Sequence, residues 1–582
     1  MKAAFICLFI FFSIQLFAQE PYLENKTYEY EELQAEYKAL TKKYPNQAKL
    51  VQFGTSDYGK NIQLFMISKT GAFQPEEFKS KTVLLINNAI HPGEPCGVDA
   101  SVKLSKDLLK DQNLPENVVI GIIPMYNVGG AHNRNCCSRA NQNGPEEYGF
   151  RGNAKNLDLN RDFVKCDSKN TQTFYKIFHF LNPHIFIDTH TSDGADYQHV
   201  MTLITSQTDK MHPWLKKITD TEINPHLYSE MAKSGYDMVP YVHSIKKTPD
   251  DGIVDYLETP RYSTGYTNLF NTISYVSEAH MLKTYKERVE STYELLKITI
   301  DYMEKNSRKL WELKRKADYN VGQNEYYDLN WTVDTNNFAE IDFKGYEAET
   351  KKSEVTQMDR LFYNHNKPYT KKIKHYNSYK CTDSVTRPEY YVIPQAWKDV
   401  VVRLQLSEVL VYRLLEDMDV EVESYFIDDY TTGDRPYEGH YLHKAIQVQK
   451  ESTTITYHKG DYVIPTRNEK ARFIIETLEP HAPDSYFAWN FFDAILQQKE
   501  WFSAYVFEDK AMDVLAANPE LKKEFEQKKK DDKKFREDGW SQLYFIYKNS
   551  DNYERTYNRY PISRKMDEFN QDEIELATKL FK

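Results

Sequence analysis

The chain has 582 residues, of which 40% are hydrophobic, 14% aromatic and 28% charged, and carries a formal net charge of -11 from 75 Lys+Arg against 86 Asp+Glu. That length exceeds what one hydrophobic core usually organises, so two or more domains are expected. Without a basic excess, a protein that grips nucleic-acid phosphates or an anionic membrane is disfavoured, and 21 Gly, 23 Pro and no repeats argue against a fibrous or largely disordered chain.

In chain order, Met1-Lys2, the apolar run of residues 3–17 and Ala18 have the charged start, apolar middle and small residue of a signal peptide over residues 1–18. Export to the periplasm or the medium is therefore expected. The run is short of the ~20 residues a bilayer span needs, and no later segment is apolar enough, so no stable membrane insertion is expected. Cys96, Cys136, Cys137, Cys166 and Cys381 remain, an odd number, so at most an incidental bridge is expected.

Residues 19–317 alternate β-branched runs, at 83–86, 118–123, 184–187 and 273–276, with helical patterns at 99–109, 171–181 and 286–313. This implies an α/β domain with a mixed, mainly parallel sheet sandwiched by helices, whose ligands sit at the carboxyl ends of the strands. Residues 318–582 change to tyrosine-rich alternation and then return to helix, an α+β accessory domain. Residues 484–498 carry apolar positions at helical spacing, so Phe487, Phe491 and Ile495 are expected in a core rather than on a sugar-stacking platform. Residues 521–535 are expected to form a charged, solvated helix.

Four polar clusters stand at strand ends or in loops of the first region. His91-Pro92-Gly93-Glu94 sets an imidazole and a carboxylate three positions apart at a strand-to-helix junction, where both converge on one cation, and this donor pair suits Zn²⁺. Arg151 leads into Asp158-Leu159-Asn160-Arg161, and two further strands end in Asp188-Thr189-His190-Thr191 and Ser277-Glu278-Ala279-His280. Two imidazoles and one carboxylate on Zn²⁺ leave a fourth position for water, which is the catalytic arrangement.

In these residues the region of about 22–315 resembles the zinc metallocarboxypeptidase family, carboxypeptidase A type. His91 and Glu94 match its His-x-x-Glu pair, His190 its third ligand, Asn160-Arg161 its Asn-Arg pair and Glu278 its late acid. The resemblance implies a carboxypeptidase-like fold with one Zn²⁺ per chain on His91, Glu94 and His190. It implies a secreted metallopeptidase that hydrolyses the C-terminal bond of peptides bearing a free carboxylate, with a Zn-activated water and Glu278 as general base. Asn160 and Arg161 then clamp the terminal carboxylate, which a guanidinium fork matches in geometry. Arg151 steadies the oxyanion, with Arg134 and Arg139 as competitors, and one of Tyr256, Tyr262 and Tyr266 caps the substrate. His280 is expected to orient Glu278. The plainer reading of Arg161 is an ion pair with Asp158 or Asp162. The chain departs from the family after its third ligand, where Thr191-Ser192-Asp193-Gly194 replaces a Ser-Tyr-type sequence and leaves the substrate pocket open. The alternatives are an amidase for cell-wall peptides or another amide, and a non-catalytic binding protein that keeps the fold.

Overall fold

In the computed structural model, which describes residues 20–111 and 113–580, the apolar runs become the centre of an eight-stranded sheet. The expected signal peptide lies outside the described residues. The strands are β1 (Ala48–Thr55), β2 (Asn61–Ile67), β3 (Thr82–Asn87), β4 (Val118–Ile123), β5 (Ile185–Ser192), β6 (Met201–Thr205), β7 (Val239–Pro240), β8 (Ile253–Val254), which lies outside this sheet, and β9 (Ile273–His280). Their order is β1-β2-β4-β3-β5-β9-β6-β7. β4, β3, β5 and β9 form a parallel block, flanked by β2 antiparallel to β4 and β6 antiparallel to β9. Every residue of β3, β4 and β5 is buried, as a parallel sheet covered on both faces requires, and this explains the apolar runs at 83–86, 118–123 and 185–187.

Helices Cys96–Lys110 and Lys169–Leu181 occupy the expected segments, and the last extends over Tyr285–Val321. Lys169–Leu181 buries Phe174, Tyr175, Ile177, Phe178 and Leu181, one face at helical spacing. Its start is set by Ser168, whose side chain accepts from the Thr171 amide. Cys136 and Cys137 are bridged to each other, while Cys96, Cys166 and Cys381 take part in no disulfide.

The chain divides into two units, the first comprising residues up to Ala317 together with Val333–Lys380, the second Asp318–Thr332 and Cys381–Lys582. The segment 333–380, placed by sequence with the accessory domain, thus groups with the first unit. The reason is a long antiparallel hairpin, Ala339–Lys352 with Asp359–Tyr376, which buries Phe343 and Ile373 against Tyr197, Val239, Val242 and Ile253 and extends β8.

The second unit has a seven-stranded sheet around Val392, Leu414, Val420, Val422 and Val463. It also holds helices Ala504–Ala517, Pro519–Asp531, Lys533–Glu537 and Gly539–Lys548 around Phe507, Phe525 and Phe535. The helix expected at 484–498 is absent. That stretch is turns and a single short 3-10 helix, Asp493–Leu496, with Asn490 at φ 53°, a left-handed conformation that interrupts any helix. Of the residues expected in a core, Phe487 is fully buried but Phe491 and Ile495 are only partly so; Trp489 and Phe492, off that spacing, are fully buried as well. Among the described residues, no helix is long and apolar enough to cross a membrane.

Candidate active site

The parallel block delivers its polar clusters to one end. β3 finishes at Asn87, and Ala89 turns the chain out of the sheet at φ 58°, strained for a residue with a Cβ, immediately ahead of His91. The helix that follows packs directly on β5: a Cβ on Gly97 would lie 1.9 Å from Thr189 Oγ1. This close approach brings the turn carrying Glu94 against His190. In the parallel register of β5 and β9, His190 pairs with Glu278, and across β9 Val276 pairs with Ile204 of β6. Because alternate residues of a strand share a face, His190 and Ser192 of β5 enter the same cavity as Val276 and Glu278 of β9.

His91, Glu94 and His190 are all buried, and one donor atom from each lies within 4.8 Å of the others. His91 Nδ1 stands 3.2 Å from Glu94 Oε1, and His190 Nδ1 stands 3.0 Å from Glu94 Oε2. His91 Nε2 meets Asp158 Oδ1 at 2.9 Å, whereas His91 Nδ1 is buried with no hydrogen-bond partner among the described residues. A carboxylate on Nε2 keeps the proton there and leaves the Nδ1 lone pair for a cation, so the donor set fits zinc. Burial alone would raise the Glu94 carboxyl, but Arg139 and His91 hold it well below the usual carboxylate range.

Asp158 organises the neighbouring loop. Its Oδ1 also accepts from the Asn160 amide at 2.9 Å, and its Oδ2 accepts from Arg151 Nε at 2.9 Å. Against the effect of burial, His91, Arg151 and Arg161 hold its carboxyl far below the ordinary range. Asn160 Oδ1 accepts from the Ser263 amide at 3.0 Å. Arg161 donates from Nη1 to the Asn160 carbonyl at 2.7 Å, stands 3.9 Å from Asp158 Oδ2 and lies 4.4 Å over the Tyr262 ring. Asp162 is spent elsewhere, accepting from Lys165, Ser168 and Thr171.

His91, Glu94, His190, Asn160 and Arg161 line one cavity of about 490 Å³, together with Arg139, Arg151, Tyr241, Tyr256, Glu258, Tyr262 and Glu278. Of the competing arginines, Arg151 and Arg139 both reach it, and Arg139 Nη2 donates to Glu94 Oε1 at 2.6 Å, while Arg134 bonds the Glu147 carbonyl at 3.2 Å and does not line the cavity. Gly93 makes room for Arg139, whose Nε would lie 2.3 Å from a Cβ there. Tyr266 is fully buried and stacks on Tyr175 at 4.5 Å, whereas the Tyr256 and Tyr262 hydroxyls meet at 2.5 Å on the cavity wall. His280 does not reach Glu278: its Nε2 bonds the Ala195 carbonyl at 2.9 Å and its Nδ1 accepts from the Leu282 amide. Burial, with Glu94, Glu258 and Asp188 nearby and His190 opposing, pushes the half-buried Glu278 up to about 8. Tyr241 and Glu258 carry no signal in the sequence that points to the cavity, and Arg139 enters it only as a competitor for the oxyanion role. Asp158 stands beside Asn160-Arg161 in the sequence, but its bond to His91, 67 residues away, has no local signal.

Residues 33–319 match the family model described as zinc carboxypeptidase. Carboxypeptidase D of Drosophila melanogaster is 31% identical over 157 residues, which is 25% of this chain but only 10% of that much longer protein. Carboxypeptidase 2 of Trichophyton tonsurans is 19% identical over 449 residues, covering 74% of this chain and 78% of its own. Among solved structures, the metallo-carboxypeptidase from Burkholderia cenocepacia shares 15% identity at a TM-score of 0.37, covering 48% of this chain and 70% of that one. Carboxypeptidase A from Helicoverpa armigera shares 17% at a TM-score of 0.37, covering 48% and 74%. On the match to the family model, with the His-Glu-His cluster and the parallel block already described, residues 33–319 are a zinc carboxypeptidase domain.

Proposed function

We propose that the protein is an exported zinc carboxypeptidase that removes the C-terminal residue from peptides with a free terminal carboxylate. The observation that carries this reading is that Asn160 and Arg161 share one cavity with His91, Glu94, His190 and Glu278. A Zn²⁺ ion held by His91, Glu94 and His190 would supply Lewis-acid polarisation of the scissile carbonyl and acidify a water. Arg161 and Asn160 bind the terminal carboxylate and so set the last peptide bond within reach of Glu278. Glu278 takes the proton of the attacking water and passes it to the leaving amine. Arg151 places positive charge where the carbonyl oxygen becomes anionic. Tyr256 and Tyr262 screen the bond from bulk water. Export is proposed from the pattern of residues 1–18 alone.

The test compares zinc-loaded protein on a peptide and on its C-terminal amide. Release of the last residue from the free acid, lost on amidation, supports the clamp. Equal cleavage of both favours an amidase, and protein that binds less than about one zinc per chain refutes the metal assignment.

A further inference from the structure

One wall of this cavity carries an acid that the proposed reaction does not use. Glu258 is only 6% exposed, its Oε2 has no hydrogen-bond partner among the described residues, and it lines the cavity with Asn160, Arg161, Ile204 and Val276. Burying a polar atom unpaired is costly, so a partner is to be sought in what enters the cavity. The three cavity arginines already stand beside other carboxylates, Arg139 on Glu94 and both Arg151 and Arg161 on Asp158.

The backbone gives Glu258 little freedom to turn away. A Cβ on Gly265, in the helix Ser263–Asn268, would lie 2.0 Å from the Thr259 carbonyl oxygen and 3.0 Å from that of Glu258, so that helix presses directly on the segment. The first residue of the same helix, Ser263, is tied by its amide to Asn160 at 3.0 Å and by its hydroxyl to Asp188 at 2.5 Å. Glu258 is thereby held in fixed relation to the clamp.

We propose that Glu258 selects peptides whose C-terminal residue carries a cation at the end of an aliphatic side chain, an ammonium or a guanidinium. This rests on the carboxypeptidase reading of the site. With the terminal carboxylate on Asn160 and Arg161, the side chain of the same residue has the rest of the cavity to enter. Ile204 and Val276, opposite one another on β6 and β9, offer apolar surface to its methylenes, and Glu258 accepts its charge. An acidic terminal residue brings no cation for Glu258, and an apolar one leaves it unpaired, a mismatch that discriminates more strongly than a missing methylene.

The experiment uses peptides that differ only in ending in Lys, Arg, Nε-acetyl-lysine or Leu, with zinc-loaded wild type and Glu258→Gln. Wild type is expected to favour Lys over both Leu and acetyl-lysine in kcat/KM by at least about tenfold, and Glu258→Gln to reduce that ratio by at least about tenfold. The Arg peptide ranks guanidinium against ammonium. A wild type that treats Lys, acetyl-lysine and Leu alike overturns the proposal, as does a variant that keeps the wild-type ratio. Should Glu258→Gln fail to fold, the acetyl-lysine comparison on wild type decides alone. Should no free-acid peptide be cleaved, the carboxypeptidase reading fails instead, and calorimetric binding of free L-lysine against L-leucine still tests Glu258: a preference for lysine supports its role, and equal binding refutes it.

Discussion

Asp158→Asn keeps the shape of the side chain and removes its charge, so it isolates what that carboxylate does for the proposed metal site. In the wild type one oxygen faces His91 Nε2 at 2.9 Å and the other faces Arg151 at 2.9 Å. Loss of a carboxylate behind a ligating imidazole typically costs 10–100-fold in metal affinity, or ~1.4–2.7 kcal/mol. The hydrogen bond persists in weakened form through the amide oxygen, which places the expected loss of zinc affinity near the lower end, about tenfold. Activity should fall further than affinity, because Arg151 loses its anchor as well. The zinc dissociation constant is read by competition with a chromogenic chelator, and kcat/KM is read at saturating zinc. Thermal unfolding of the metal-free protein is measured in parallel to remove any general loss of stability. Zinc affinity and saturated kcat/KM both within about twofold of wild type would refute the assignment of Asp158 as the group that orients His91.

Glu278→Gln should bind zinc with unchanged stoichiometry and lose at least about 100-fold in turnover; undiminished turnover rules out Glu278 as the proton carrier. Gly97→Ala places a Cβ 1.9 Å from Thr189 Oγ1, next to His190, and should cost ~1–3 kcal/mol in chemical unfolding and weaken zinc binding. A fully stable variant would contradict the close helix-to-strand approach. Asp99 is pushed by burial up to about 7, although the Thr27 and Tyr285 hydroxyls each donate to it at 2.6 Å. Its protonated form therefore favours the fold, a contribution fully present below its unfolded pKa of about 4 and lost as pH rises through about 7, amounting to at most ~4 kcal/mol. Asp99→Asn lacks that loss, so wild type should become progressively less stable relative to the variant between those pH values; a pH-independent difference would disprove it.

The candidate metal cluster was legible because its signals are local. His91 and Glu94 stand three residues apart just past a strand with an apolar run at 83–86, and His190 and Glu278 each lie near the carboxyl end of another buried strand. The helix expected at 484–498 failed for a local reason as well: Asn490 takes a left-handed conformation that periodicity does not register, so of the three residues at helical spacing only Phe487 is fully buried, while Phe491 and Ile495 are partly exposed. The hairpin at 339–376 was legible as strand but not as part of the first unit, since its partners Tyr197, Val239 and Val242 lie far away in sequence.

The sequence by itself determined the fold class of the first region and the donor atoms offered to a metal, because continuous apolar strands and short-range ligand spacing are properties of a few consecutive residues. Only the tertiary structure decided that Asp158 belongs to His91 as well as to Arg151, that Arg139 lies on Glu94, that His280 turns away from Glu278, and that Glu258 ends buried in the cavity. Each of those outcomes pairs a side chain with groups from distant segments, and which of several charges meet is settled by the strand register and the close glycine contacts that bring those segments together.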